Sequence, residues 1–85
     1  MEVILLPEAE KHLEYWKKTG NAKVLKKISA LVKSILDDPY AGLGKPEALK
    51  YQLTGKWSRR IDRGNRLVYS VVEEKLYIYS LKGHY

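Results

Sequence analysis

Along the first half of the chain the apolar positions recur at helical spacing, and along the second half at the spacing of strands. Glu2 to Leu6 is apolar on both faces, which predicts a short buried strand. Pro7 suits the first turn of a helix, where a missing N–H costs nothing, and Glu8 and Glu10 lie at the positive end of its dipole. Ala9, Leu13 and Trp16 form the apolar stripe, Lys17 and Lys18 fall in the last turn, and Gly20 supplies a left-handed stop. Asn21 caps a second helix, whose Val24, Leu25, Ile28, Leu31, Val32, Ile35 and Leu36 give the clearest helical period in the chain. Its other face carries Lys23, Lys26, Lys27 and Lys33, and Asp37-Asp38-Pro39 ends it. The tight Gly20-Asn21 turn predicts an antiparallel helical hairpin.

Tyr40 to Glu47 holds two glycines and a proline and reads as an exposed loop. Four strand candidates follow: Tyr51 to Leu53, Lys56 to Asp62, Arg66 to Val72 and Lys75 to Lys82. Thr54-Gly55, Arg63-Gly64-Asn65 and Glu73-Glu74 are the turns between them. The expectation is an α+β fold in one domain over residues 1–85: an N-terminal strand, a two-helix hairpin, then an antiparallel meander with the helices on one face. If Glu73-Glu74 is a two-residue turn, Val68 pairs with Tyr79 and Arg66 with Leu81. Regular alternation then places His84 on the opposite face from Arg66, unless the chain bulges or turns, with Gly83 the expected place.

Composition narrows the chemistry. Eighty-five residues make one small domain, and with no cysteine there is neither a disulfide framework nor a thiolate metal site. His12 and His84 are too few and too far apart for an obvious zinc site. The N-terminus has no basic region and only a short apolar run, so neither a signal peptide nor a membrane span is expected, and a cytoplasmic protein is the default. The net charge of +6 suits an anionic partner such as nucleic acid or an acidic protein, or a generic basic surface.

The second half concentrates polar groups of catalytic type. Lys45, Glu47 and Lys50 lie at the loop exit, Arg59 and Arg60 on one strand, Arg66 at the start of the next, and His84 and Tyr85 at the end. Converging in a meander, they suit cleavage of RNA by its own 2′-hydroxyl, which needs a base, an acid and cations for the phosphorane, and no metal or other cofactor. Glu47 fits the base, with Lys45 and Lys50 keeping it ionised; His84 fits the acid, and Arg66 a planar brace for phosphate. Taken singly, each has a plainer reading: Glu47 as a solvated charge, His84 as a frayed tail, Arg59 and Arg60 as edge-strand gatekeepers, the helix lysines as a wet face.

Order and spacing add more. Gly44-Lys45-Pro46-Glu47, Leu49-Lys50, Leu53-Thr54-Gly55, Trp57-Ser58-Arg59-Arg60-Ile61, Arg66-Leu67-Val68-Tyr69 and the terminal His84-Tyr85 resemble the Txe/YoeB toxins of the RelE/ParE superfamily. The resemblance runs over the whole chain. It implies a ribosome-dependent endonuclease that cuts mRNA in the A site, acts as a homodimer, and is neutralised by an antitoxin of the YefM/Axe kind. It implies Glu47 as general base, His84 as general acid and Arg66 as the main phosphate group, with Lys50 and Arg60 supporting and Tyr85 positioning the substrate. Ala48, Asn65 and the Leu81-Lys82-Gly83 tail depart from the family's usual residues, which bears on codon preference and tail geometry rather than on the reaction. Two alternatives stand beside it: a ParE-like inhibitor of DNA gyrase, and a non-catalytic RNA-binding or ribosome-docking module.

Overall fold

In the computed structural model, which describes residues 1–83, the chain folds as β1 (Glu2–Leu5), α1 (Pro7–Lys18), α2 (Ala22–Asp37), β2 (Glu47–Ala48), β3 (Trp57–Arg60), β4 (Arg66–Val72) and β5 (Lys75–Ser80). The caps are those expected from sequence: Pro7 opens α1, Gly20 sits at φ +66, and the Asn21 side chain accepts the Val24 N–H at 3.1 Å. The sheet order is β1-β5-β4-β3-β2, antiparallel from β2 to β5, with β1 running parallel to β5 at one edge. Both helices pack on one face, and Ala9, Trp16, Ile28, Leu31 and Ile35 close over Leu67, Tyr69, Leu76 and Ile78. The expected α+β arrangement therefore forms.

Three expectations need correction. The strand expected at Tyr51 to Leu53 is a single 3-10 turn: Leu53 N–H bonds the Lys50 carbonyl, Thr54 N–H bonds the Tyr51 carbonyl, and Tyr51 stands 85% exposed at φ 59. The Thr54 hydroxyl also donates to the Tyr51 carbonyl at 2.7 Å, so local bonds outcompete a ladder here. The edge strand instead begins within the expected loop, at Glu47–Ala48, paired with Ser58 and Trp57. β1 is not buried on both faces: it is an edge with one partner, Val3 is exposed, and Ile4 and Leu5 are half-buried.

The third correction decides which residues face the site. Tyr69 pairs with Ile78 as the two-residue turn demands, but Val68 pairs with Ser80, so Tyr79 is an inserted residue in β5. The bulge lies at Tyr79, and the chain also bends at Gly83, which adopts φ +80. One extra residue reverses the alternation after it. Leu81, which regular pairing would put beside Arg66, turns instead into the core. Helix α1 holds it there by both backbone polar groups. His12 Nδ1 accepts the Leu81 N–H at 3.0 Å, and Trp16 Nε1 donates to the Leu81 carbonyl at 2.9 Å. The Leu81 N–H donates to Nδ1, so His12 carries its own proton on Nε2, facing the Glu8 carboxylate at 3.3 Å. No helix among the described residues is long and apolar enough to cross a membrane.

The β4–β5 turn carries strain that can be relieved. Glu73 and Glu74 both adopt positive φ, 49° and 61°, the geometry for which Asn-Gly is the favoured pair. Replacing them together, E73N/E74G, is expected to raise stability by about 1–2 kcal/mol. Urea unfolding measures this; a lower midpoint with an unchanged slope would show the turn to be unstrained.

Candidate active site

Along β4, Leu67, Tyr69 and Val71 face the helices, so Arg66, Val68 and Ser70 point to the bare side of the sheet. The ladder carries that side across two more strands: Arg60 lies opposite Arg66, Ser58 opposite Val68, and Glu47 opposite Ser58. Glu47, Ser58, Arg60 and Arg66 thus share the helix-free face. Arg66 Nη1 donates to Ser58 Oγ at 3.1 Å and approaches Glu47 Oε1 at 3.4 Å. Ser58 is fully buried and Arg66 only 19% exposed, whereas the Glu47 side chain is 65% exposed. The arginine is braced; the carboxylate is presented. An open cavity of about 260 Å³ lies over them, completed by Lys45 and Pro46. Three cations around one carboxylate are chemically complementary to an anion that also needs a proton acceptor.

Lys45 and Glu47 are placed by the loop between α2 and β2, and the loop is held by Arg59. Arg59 is fully buried, and its five N–H groups are all used. Nε donates to the Tyr69 hydroxyl at 3.1 Å; Nη1 donates to Ser34 Oγ at 2.7 Å and the Leu43 carbonyl at 3.0 Å; Nη2 donates to the Asp38 carbonyl at 2.7 Å and the Ala41 carbonyl at 3.0 Å. Tyr69 in turn donates to the Pro39 carbonyl. The chain passes so close that Gly42 and Gly44 are needed. A Cβ on Gly44, at φ +83, would lie 2.7 Å from the Leu31 side chain and 3.1 Å from the Arg60 carbonyl. Gly44 then accepts the Arg60 N–H at 2.7 Å, tying the loop to β3.

Of the residues expected at the site, the structure brings together Lys45, Glu47, Arg60 and Arg66. Arg59 is a correction: it has no donor left for a phosphate, and it is neither a gatekeeper nor a ligand group but the anchor of the loop. Lys50 is exposed, three residues past Glu47 at the entry to the 3-10 turn, and does not line the cavity. His84 and Tyr85 lie outside the described residues. The described chain does end beside the site, because Gly83 accepts the Arg66 N–H at 2.8 Å and donates to Asn65 Oδ1 at 2.9 Å. Two residues were missed, Ser58 and Tyr69. A signal for Arg59 and Ser58 was present: in Trp57-Ser58-Arg59-Arg60-Ile61, alternation puts Arg59 on the face of Trp57 and Ile61, and Ser58 on that of Arg60.

This fold is shared by YafQ from Escherichia coli, with a TM-score of 0.80 over 98% of this chain and 92% of that one; at 13% identity the likeness is one of fold. Residues 6–85 match the family described as the YoeB-like toxin of bacterial type II toxin–antitoxin systems. Toxin YoeB of Synechocystis sp. is 44% identical over 82 residues, 96% of this chain and 95% of its own length. Toxin YoeB of Escherichia coli K12 is 41% identical over the whole of both chains. A YoeB/ParE toxin from Agrobacterium tumefaciens superposes with a TM-score of 0.96 at 36% identity, covering all of both chains. The chain belongs to the YoeB toxin family.

Arg59→Met is expected to cost about 3–5 kcal/mol, because three carbonyls and two hydroxyls lose a common donor. Chemical denaturation reads it, and a loss under about 1 kcal/mol would deny the anchor its role. A second expectation concerns alkali. Burial raises the Tyr69 phenol above the usual tyrosine value near 10.0, against the lowering effect of Arg59. The unfolded chain then releases this proton first, so its contribution is full below about pH 10 and declines as pH climbs through the folded value. Tyr69→Phe should be less stable at neutral pH yet lose less melting temperature between pH 9 and pH 11 (about the range where tyrosines ionise); an equal alkaline loss in both proteins would refute it.

Proposed function

We propose that this toxin is a ribosome-dependent endonuclease that cuts mRNA in the A site and so stops translation. The observation that carries the reading is the meeting of the Glu47 carboxylate with the Ser58-braced Arg66 guanidinium, flanked by Lys45 and Arg60. A phosphodiester seated on Arg66 brings its neighbouring 2′-hydroxyl to Glu47, which takes the proton as the oxygen attacks phosphorus. Arg66, Arg60 and Lys45 stabilise the charge on the phosphorane. His84, assigned by family resemblance, gives a proton to the departing 5′-oxygen, with Lys50 and Tyr85 assisting. The products are a 2′,3′-cyclic phosphate, or the 3′-phosphate from its hydrolysis, and a 5′-hydroxyl.

Dependence on the ribosome fits the geometry. Among the described residues the exposed Glu47 side chain has a single 3.4 Å contact, and none of them fixes the 2′-hydroxyl against it. Such an exposed pair is worth at most about 1 kcal/mol. Alignment by an outside scaffold then supplies much of the rate. A toxin from Staphylococcus aureus, 42% identical with a TM-score of 0.90, is known as a YoeB–YefM complex, and a structure of a YoeB dimer exists from the same organism. By that likeness the chain pairs with itself and with a YefM-like antitoxin, in the cytoplasm.

Ribosomes carrying a defined message test this by toeprinting and end-group analysis. Cleavage in the A site leaving a 5′-hydroxyl is expected; an intact message together with trapped gyrase–DNA complexes would overturn the reading. Glu47→Gln, Arg66→Ala and His84→Ala should each slow cleavage by at least about 100-fold while ribosome binding changes little. Full cleavage by His84→Ala would remove the imidazole from the acid's role.

A further inference from the structure

The basic surface does not end at the Glu47–Arg66 cavity. Through Lys45, Arg60 and Arg66 it opens into a larger depression of about 700 Å³, where Lys27 of α2 and Arg63 of the β3–β4 turn join them. That depression shares Lys27, Ile61 and Asp62 with a third hollow of about 400 Å³ beside the first turns of α2. The three form one groove from the Glu47 carboxylate to Asn21. Its character changes along the way. The middle is a ring of five cations with the single carboxylate of Asp62, and both openings are in the size range of small-molecule sites.

The far hollow has an apolar floor, Val24, Ala30 and Ile61, with Lys23, Lys26 and Lys27 along its helix side and Asn21 and Asp62 also at its rim. Asn21 uses its oxygen on the Val24 N–H, which leaves the amide nitrogen as a donor. Asp62 uses Oδ1 on the Gly64 N–H at 3.0 Å and the Asn65 amide at 2.9 Å, which leaves Oδ2 as an acceptor. An apolar shelf with a donor and an acceptor at its edge is complementary to a nucleobase, and cations between it and the scissile site are complementary to the connecting phosphates. A polyacidic peptide would meet Lys23, Lys26 and Lys27, but Asp62 repels it and it has nothing to lay on the apolar floor.

We infer that this groove is a second RNA subsite, in which Lys27 and Arg63 hold phosphates flanking the scissile one and the Val24–Ala30–Ile61 shelf takes a flanking base. The inference rests on the reading of the chain as a ribonuclease and adds the path of its substrate. Lys27, on this view, serves the substrate strand rather than only a solvated face.

The test uses oligoribonucleotides with every 2′-oxygen methylated, which cannot be cut, and reads their affinity for the isolated toxin by fluorescence anisotropy. A six-nucleotide strand should bind about tenfold or more tighter than a two-nucleotide strand. K27A/R63A should lose most of that gain while binding the two-nucleotide strand as the unaltered protein does. Its salt dependence should be shallower by about 1.4, two phosphates at roughly 0.7 each. A30W, which fills the shelf, should also lose the gain but keep the salt slope, and K17A/K18A on α1 should keep both; melting curves confirm that each variant folds. An undiminished gain in K27A/R63A overturns the subsite. So does a six-nucleotide strand binding no tighter than two nucleotides while a ten-residue glutamate peptide binds through Lys27 and Arg63. Failure of ribosomal cleavage with this length dependence intact would instead sink the catalytic reading alone.

Discussion

A guanidinium with no carboxylate partner among the described residues sits at the centre of this small domain, and the loop that carries Lys45 and Glu47 is wrapped around it. Arg59 is held by three backbone carbonyls and two hydroxyls, drawn from Ser34 on α2, the 38–43 segment and Tyr69 on β4. Burying an unsatisfied cation would be prohibitive, so the loop must keep its carbonyls aimed inward. The loop, in exchange, gains partners that a segment without regular structure otherwise lacks. Arginine rather than lysine suits the place, because five donors in a planar fork reach partners on several sides at once.

What this arrangement accomplishes is precision on the opposite face of the sheet. Arg59 and Arg60 are neighbours on β3 and point to opposite sides, so the anchor on one side fixes the strand that presents the cation on the other. The glycine loop closes onto the Arg60 N–H and delivers Lys45 and Glu47 to the sheet edge. At the other end of the site, the Tyr79 bulge and the α1 clamp on Leu81 steer the chain so that Gly83 meets the Arg66 amide. Rigid supports thus surround a carboxylate that is itself exposed. The proposed dependence on the ribosome rests on that division between fixed cations and a lightly held carboxylate.

Much of the fold was legible from spacing alone. The stripes of α1 and α2, the Asn21 cap and the two-residue turn at Glu73-Glu74 all rest on interactions between residues close in sequence, and all formed as read. The candidate site was legible in part: Lys45, Glu47, Arg60 and Arg66 do share one surface. The misreadings have a common source. Tyr51 to Leu53 has strand-like residues but no partner strand, so local bonds win. Arg59 looked like a surface cation because residue type suggests exposure, although its place between Trp57 and Ile61 put it on the apolar face.

The sequence by itself determined both helices with their apolar faces, the strands β3 to β5 and the family, because periodicity, caps and motif spacing are local or linear properties. Only the tertiary structure decided that β1 lies at an open edge, that Arg59 is spent on the loop, and that the ladder slips by one residue at Tyr79. Each of these depends on what a residue meets across space: a single neighbour for β1, a ring of carbonyls for Arg59, and a helix that grips Leu81 through His12 and Trp16. Alternation predicts which side a residue faces until a contact from another element makes an extra residue worth accommodating.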